Sequence, residues 1–268
     1  MIDRSFLFVP GDRPERFDKA LSAQAHAVIL DLEDAVAPQR KTEARSAVAA
    51  WLRTAQARVY VRINPLGTPW HEEDCALLAS PAVRGVMLPK AESAADVARV
   101  AARLGEGQDC IPLVETVAGW FEAPALARVP RVRRLAFGSF DFMSDSGIRG
   151  DGPQLDAVRS QLVLVSRHAG LLPPVDGVSL AIDDAAQLQA DARRSLLWGF
   201  GGKLCIHPRQ VPVVHAAFAP TEAEVAWARR VVDALAAGPL GAIAVDGKLV
   251  DKPVAQLAQS ILQEAAAG

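Results

Sequence analysis

Seven apolar runs in this 268-residue chain end in a charged or strongly hydrogen-bonding side chain: Asp31 and Glu33, Arg62 and Asn64, Lys90, Glu115, Asp141, Asp183 and His207. Side chains alternate along a strand, so Asp31 with Glu33, and Arg62 with Asn64, each share one face and can converge on one ligand. Glu115 and Asp141, on consecutive runs, suit a hard divalent cation such as Mg2+, which prefers oxygen ligands and keeps positions open for water and substrate. Asp31, Glu33 and Asp34 would stand behind that ion and orient its waters. Arg62 offers a planar fork matched to a carboxylate or a developing enolate oxygen, and Lys90 adds positive charge, so the expected substrate is an anionic oxo-acid or hydroxy-acid. A Schiff-base role for Lys90 is disfavoured, because carboxylates around it would hold the amine protonated. Structural ion pairs could account for any one of these residues singly; their recurrence on seven runs favours a site.

The elements that must position them recur in a fixed order. Strand-like runs at 5–10, 27–33, 58–64, 85–90, 110–116, 134–141, 177–182 and 203–207 are separated by Ala/Leu/Arg-rich stretches of helical period. Several are almost continuously apolar, as strands covered on both faces should be. Helices are expected at 14–25, with Pro14 in the first turn, and at 94–104, with Ser93 as cap. Eight βα units read as a (β/α)8 TIM barrel, whose active site lies at the C-terminal ends of its strands. The barrel is expected over residues 1–220. A C-terminal helical extension over 221–268, with a Gly/Pro link at 238–241, exceeds what a barrel needs and would cap it or reach a neighbouring subunit.

Composition narrows the partners. Lys plus Arg (29) nearly balance Asp plus Glu (31), which disfavours nucleic acid or an anionic membrane and favours a small molecule. Cys75, Cys110 and Cys205 form neither a disulfide framework nor a zinc motif and fit a reducing cytoplasm. The opening apolar stretch is too short for a signal or a membrane span. The segment Gly199-Phe200-Gly201-Gly202-Lys203 lacks the following Ser or Thr of a phosphate loop and leads into a strand. Ser139 and Ser144 lack a nucleophile-elbow context. His207, before Pro208, reads as structural. Arg13, Arg16 and Lys19 form either a solvated helix face or an anion site for a phosphate-bearing cofactor.

Seven stretches, in order, resemble the citrate lyase beta subunit-like branch of the aldolase/citrate lyase family: residues 4–11 (RSFLFVPG), 28–36 (VILDLEDAV), 61–64 (VRIN), 87–93 (MLPKAES), 112–116 (PLVET), 137–141 and 202–208 (GKLCIHP). The resemblance implies a Mg2+-dependent, homo-oligomeric barrel, a trimer or hexamer, that cleaves or forms a carbon–carbon bond in hydroxyacyl-coenzyme A thioesters. It implies Glu115 and Asp141 as metal ligands, Arg62 as the substrate-binding arginine, and Arg13 and Lys19 as contacts to CoA phosphates. The stretch Asp246-Gly247-Lys248-Leu249-Val250-Asp251-Lys252-Pro253 is similar to the C-terminal motif of malyl-CoA and citramalyl-CoA lyases. By that likeness, Asp251 would enter a neighbouring subunit's site as acid/base and the chain would act alone on CoA thioesters, giving an acyl-CoA and a 2-oxo acid.

One departure stands out. The resemblance calls for Gly-x-Glu-Asp before the metal aspartate, and this chain has Gly138-Ser139-Phe140-Asp141, an apolar ring in place of a carboxylate. Rival readings are a thioester hydrolase on the same metal, a beta-type subunit acting on an acyl-carrier thioester, a non-catalytic assembly module, and an aldolase of free hydroxy-oxo acids.

Overall fold

The computed structural model describes residues 3–237 and 243–267. The apolar runs fold as eight parallel strands: β1 (Ser5–Pro10), β2 (Ala27–Asp31), β3 (Val59–Arg62), β4 (Val83–Leu88), β5 (Asp109–Val114), β6 (Ala136–Phe137), β7 (Val175–Asp176) and β8 (Gly202–Cys205). Each pairs with the next, and β8 returns to β1 with Phe6 opposite Leu204, closing the barrel. Phe6, Ile29, Tyr60, Met87, Ile111, Leu113, Ala136, Val175 and Leu204 fill it with contributions from every strand. These strands are buried on both faces, which explains why they read as unbroken apolar runs rather than alternating ones.

The helices are α1 (Phe17–Ser22), α2 (Lys41–Leu52), α3 (His71–Cys75), α4 (Ala94–Ala101), α5 (Val117–Leu126), α6 (Ser139–Ser146), α7 (Asp156–His168), α8 (Ala185–Trp198), α9 (Gln210–Phe218), α10 (Glu222–Ala237) and α11 (Lys252–Ala267). Several caps follow from single side chains. Ser93 Oγ accepts the Asp96 N–H at the start of α4, and Thr116 Oγ1 accepts the Gly119 N–H at the start of α5.

Two strand expectations are corrected. Residues 177–182 are not the seventh strand, which is Val175–Asp176. The alternation Gly177-Val178-Ser179-Leu180-Ala181-Ile182 mimics a half-buried strand, yet Leu180 and Ile182 are exposed. Pro173 and Pro174 lead straight into the true strand. The sixth strand is likewise short: the chain leaves it at Gly138 and turns at once into α6, so Asp141 rides a helix rather than a strand.

The described residues fall into two compact units, one up to His215 and one from Ala216. In the second, Ala228, Val231, Val245, Val250 and Ala258 form a core of their own. Between α10 and α11 the extension, expected to be helical, also holds a hairpin of β9 (Ile243–Val245) and β10 (Lys248–Val250). Its two-residue turn, Asp246-Gly247, holds both residues at positive φ (52° and 74°), the combination that Asp-Gly favours in tight hairpins. The link at 238–241 lies outside the described residues. Among the described residues, no helix is long and apolar enough to cross a membrane.

Candidate active site at the barrel mouth

Parallel strands deliver their C-terminal ends to one rim. There Asp31, the last residue of β2, lies in register with Arg62, the last of β3. The Arg62 guanidinium grips it in a fork: Nε donates to Oδ1 at 2.7 Å and Nη2 to Oδ2 at 2.6 Å. Arg62 Nη1 meets Glu33 Oε2 at 3.1 Å, and the guanidinium stacks 4.5 Å from the Phe8 ring centre. Burial works against charge on this side chain, but Asp31, with Glu33 and Asp34, outweighs it and raises the pKa. Asp31 also folds the loop that follows, accepting the Glu33 and Ala35 N–H groups. From beneath, the buried amine of Lys41 donates to the Leu32 and Glu33 carbonyls at 2.8 and 2.7 Å. Nothing in the sequence distinguishes Lys41, which opens α2, from a solvated lysine on a helix.

The rim then turns anionic. Burial pushes the Glu33 carboxyl up to about 7, against the pull of Arg62. Glu115 lies one residue past β5 and is 1% exposed; burial, reinforced by the charge of Glu33, pushes it up to about 8. Its Oε1 accepts the Lys90 N–H at 2.7 Å, and that peptide is aimed by a left-handed backbone at Lys90, φ 47°. Gly138 supplies the matching space, since a Cβ there would lie 2.5 Å from Glu115 Cβ and 2.7 Å from Oε2. Asp141, in the first turn of α6, is half-buried and raised by burial and by Asp34. The Lys90 amine lies 3.6 Å from Glu33 Oε1; burial opposes its charge, while Glu33, Asp34, Glu115 and Asp141 overcome that and raise its pKa. It is therefore a cation at neutral pH, which suits charge neutralisation and not a Schiff base.

A cavity of about 340 Å3 opens here. It is lined by the polar Asp31, Asp34, Arg62, Glu115, Ser139 and Asp141 together with the apolar Phe8, Leu113, Phe140, Val178, Leu204 and Ile206. A larger hollow of about 500 Å3 lies on the outer face of α8 around Arg193, Leu197 and Trp198, but it carries none of these carboxylates. Glu115 and Asp141 thus face one space, and neither forms an ion pair with a described residue. Two carboxylates facing one cavity, with Lys90 and Arg62 nearby but in direct ion pair with neither among the described residues, are the donor set a hard divalent ion would complete. No cage of three or more His, Cys, Asp or Glu side chains occurs among the described residues. Two protein oxygens would leave the ion's other positions to water and substrate.

The remaining expected residues lie elsewhere. Arg13 is exposed with its Nε on Glu15 Oε1, and Lys19 is exposed on α1; neither lines the cavity. Asp183 is exposed and paired with Arg209. His207 Nδ1 accepts the Arg209 N–H at 3.2 Å, a local turn bond. Asn64 points away to Asp74 and the Leu32 carbonyl. In the second compact unit, Asp251 is exposed, and its Oδ1 accepts the Val254 N–H as the cap of α11.

Residues 4–208 match the family model described as HpcH/HpaI aldolase/citrate lyase. The chain belongs to that family. It is similar to a citrate lyase subunit beta-like protein of Mycobacterium tuberculosis, 42% identical over 97% of this chain and 94% of that protein. The crystal structure of CitE from that organism in complex with magnesium, acetoacetate and coenzyme A matches with a TM-score of 0.88. It is 40% identical and covers 99% of this chain and 98% of that one. A (3S)-malyl-CoA thioesterase of Cereibacter sphaeroides is 34% identical over 92% of this chain and 89% of that protein. An L-malyl-CoA/beta-methylmalyl-CoA lyase of the same species is 31% identical over 98% and 94%. The family is enzymatic, and both the citrate lyase beta-like resemblance and the barrel expected from sequence hold.

Proposed function

We propose that this chain is a Mg2+-dependent carbon–carbon lyase acting on a hydroxyacyl-CoA thioester of the malyl-CoA or citramalyl-CoA type, yielding an acyl-CoA and a 2-oxo acid. The observation that carries the reading is the single cavity shared by Glu115, Asp141 and Arg62 at the C-terminal rim of the barrel. The magnesium-bound and CoA-bound relative and the malyl-CoA lyase support it.

Glu115 and Asp141 would hold the ion. When bound, Mg2+ supplies Lewis-acid polarisation of the oxygens of the substrate's oxo-acid end. Arg62, held flat by Asp31 and Glu33, has N–H groups to spare on Nη1 and Nη2 and would stabilise charge as the bond to the thioester α-carbon breaks. Lys90, beside the Glu33 that Arg62 also contacts, adds positive charge. Phe8, Phe140, Val178 and Leu204 would limit the water beside the reacting groups. Asp251 of a neighbouring copy would move the proton, which requires a homo-oligomer, a trimer or hexamer. Arg13 and Lys19 would meet the CoA phosphates at the mouth. Three free, buried cysteines support a reducing, cytoplasmic setting.

A thioesterase reading is favoured by one observation, the malyl-CoA thioesterase relative. Product analysis separates the two. With malyl-CoA or citramalyl-CoA and Mg2+, a lyase releases an acyl-CoA and glyoxylate or pyruvate; release of the intact hydroxy acid and free CoA would replace the lyase reading with the hydrolase. Retained turnover in Glu115→Gln would remove the metal from either.

A further inference from the structure

Asp141 sits beyond the end of β6, on α6. Its strand is two residues long, and the helix that carries it begins immediately. A chain of polar side chains, buried at Ser139, Arg159, Asp176 and Lys203, runs from the start of that helix. Ser139, the first residue of α6, donates from Oγ to Asp151 Oδ2 at 3.0 Å. Arg159 on α7, fully buried, donates from Nη2 to Asp151 Oδ1 and from Nε to Asp176 Oδ1 at 3.1 Å. Asp176, the last residue of β7 and also fully buried, accepts the Ser195 hydroxyl from α8. It lies 3.8 Å from the amine of Lys203 on β8, which donates to the Gly177 carbonyl at 2.8 Å. Arg194 donates to the Asp151 carbonyl at 2.7 Å. Gly177 permits the close approach, because a Cβ there would lie 2.7 Å from Ser139 Oγ.

This chain is a poor device for stability alone. It buries an arginine, a lysine and an aspartate, and it leaves Arg159 Nη1 and Arg194 Nε without hydrogen-bond partners among the described residues. Buried ionic groups of this kind commonly do no better than apolar side chains of equal volume, and each orphaned donor adds a further cost. What the chain does do is tie the first turn of α6 to α7, β7, α8 and β8. At the far end of α6, Asp145 Oδ2 accepts the Val117 N–H at 2.7 Å, two residues after Glu115.

We propose that Ser139, Asp151 and Arg159 are positioning residues that hold the α6 turn so that Asp141 faces Glu115 at the distance one Mg2+ requires. The inference rests on the metal reading above. None of the three needs to touch the ion.

The test is isothermal titration of the purified full-length protein with Mg2+ alone, on wild type, Glu115→Gln, Ser139→Ala, Arg159→Lys and the Ser139→Ala/Arg159→Lys double variant. Arg159→Lys keeps the buried charge beside Asp176, so it is expected to fold. Each single variant is expected to raise the Mg2+ dissociation constant about tenfold, the lower end of what outer partners of a metal site contribute. The double variant should be no weaker than the weaker single, because the residues act as one unit. Amide hydrogen exchange at 139–146 in Mg2+-free protein should quicken in each. Tyr60→Phe, which removes the bond to Asp109 at the other end of the barrel, is the stability control and should leave the dissociation constant unchanged. Unaltered Mg2+ affinity in Ser139→Ala and Arg159→Lys, or strictly multiplicative losses in the double variant, would overturn the inference while leaving the metal site standing. Wild-type protein that binds no Mg2+, or a Glu115→Gln variant that binds as well as wild type, would overturn the metal reading and this inference together.

Discussion

Lys90 places its own peptide N–H, through a left-handed backbone, 2.7 Å from Oε1 of Glu115. The bond takes up one oxygen of a deeply buried carboxylate and sets the direction of the other. Lys90 thus shapes the site through its main chain as well as through its charge. Lys90→Gly, which adopts the same backbone freely, should preserve Mg2+ affinity while raising KM for the anionic substrate severalfold. A loss of Mg2+ binding in calorimetry would count against the main-chain role.

Glu115→Gln keeps the shape of the side chain and removes the charge. Mg2+ affinity is expected to fall by well over about tenfold, since removing even an outer partner of a metal ligand costs that much. Titration calorimetry at fixed pH reads it directly, and lyase turnover should fall with it.

Gly138→Ala is expected to fail for a steric reason. The new Cβ would collide with Glu115 at 2.5 Å, so the carboxylate or the α6 turn must shift, at a cost of roughly 1–3 kcal/mol, typical of overpacking. Denaturant unfolding measures the loss, and Mg2+ binding should weaken in parallel.

Arg62→Met would leave Asp31 and Glu33 buried without their counter-charge. Breaking one partner of a buried pair commonly costs about 3–5 kcal/mol, and Arg62 is only 8% exposed, so little solvent screening softens the effect. A large fall in melting temperature is expected, together with loss of turnover. A variant with an unchanged melting temperature would show the fork to be structurally idle.

Acid stability should report Asp176. Burial alone would raise its carboxyl, but Lys203 and Arg159 overcome that and hold it below the ordinary carboxylate range. A lowered folded-state pKa contributes stability that is complete above the unfolded value, about 4, and is lost as pH falls through the folded one. The stability gap between wild type and Asp176→Asn should therefore be flat from neutral pH down to roughly pH 5 and shrink below about 4. Urea titrations across that range check it, and a gap that widens on acidification would reverse the assignment.

Asp251→Asn should retain the α11 cap, because Asn caps as well as Asp, and should leave Mg2+ affinity untouched while turnover falls. If the aspartate serves a neighbouring copy, refolding a mixture of Asp251→Asn and Glu115→Gln chains should restore activity that neither has alone. No recovery in mixed oligomers would confine Asp251 to a capping role.

The barrel was legible because its buried strands write themselves as apolar runs closed by polar residues, and β1 to β5 lie within a few residues of their expected places. The later strands were harder. Ala136–Phe137 and Val175–Asp176 are too short to leave a period, and 177–182 alternates like a strand while pairing with none and leaving Leu180 and Ile182 exposed. The rim residues Asp31, Glu33, Arg62, Glu115 and Asp141 could be named from their positions after apolar runs. Lys41, Asp151 and Arg159 could not: their importance comes from partners 8 to 17 residues away that only the folded chain brings together.

The two ends of the barrel carry separate ionic clusters. Towards the strand N-termini, Asp3, Arg84, Tyr60 and Asp109 interact around β3 to β5; Asp109 and the rim residue Glu115 stand roughly 20 Å apart along β5 by its rise per residue. On β5 the apolar side chains of Ile111 and Leu113 lie between Asp109 and Glu115 on the same strand face. The charges of Asp109 and its partners can therefore be exchanged or replaced by hydrocarbon in a search for heat tolerance while the carboxylates of the mouth feel less than about 1 kcal/mol of change per charge.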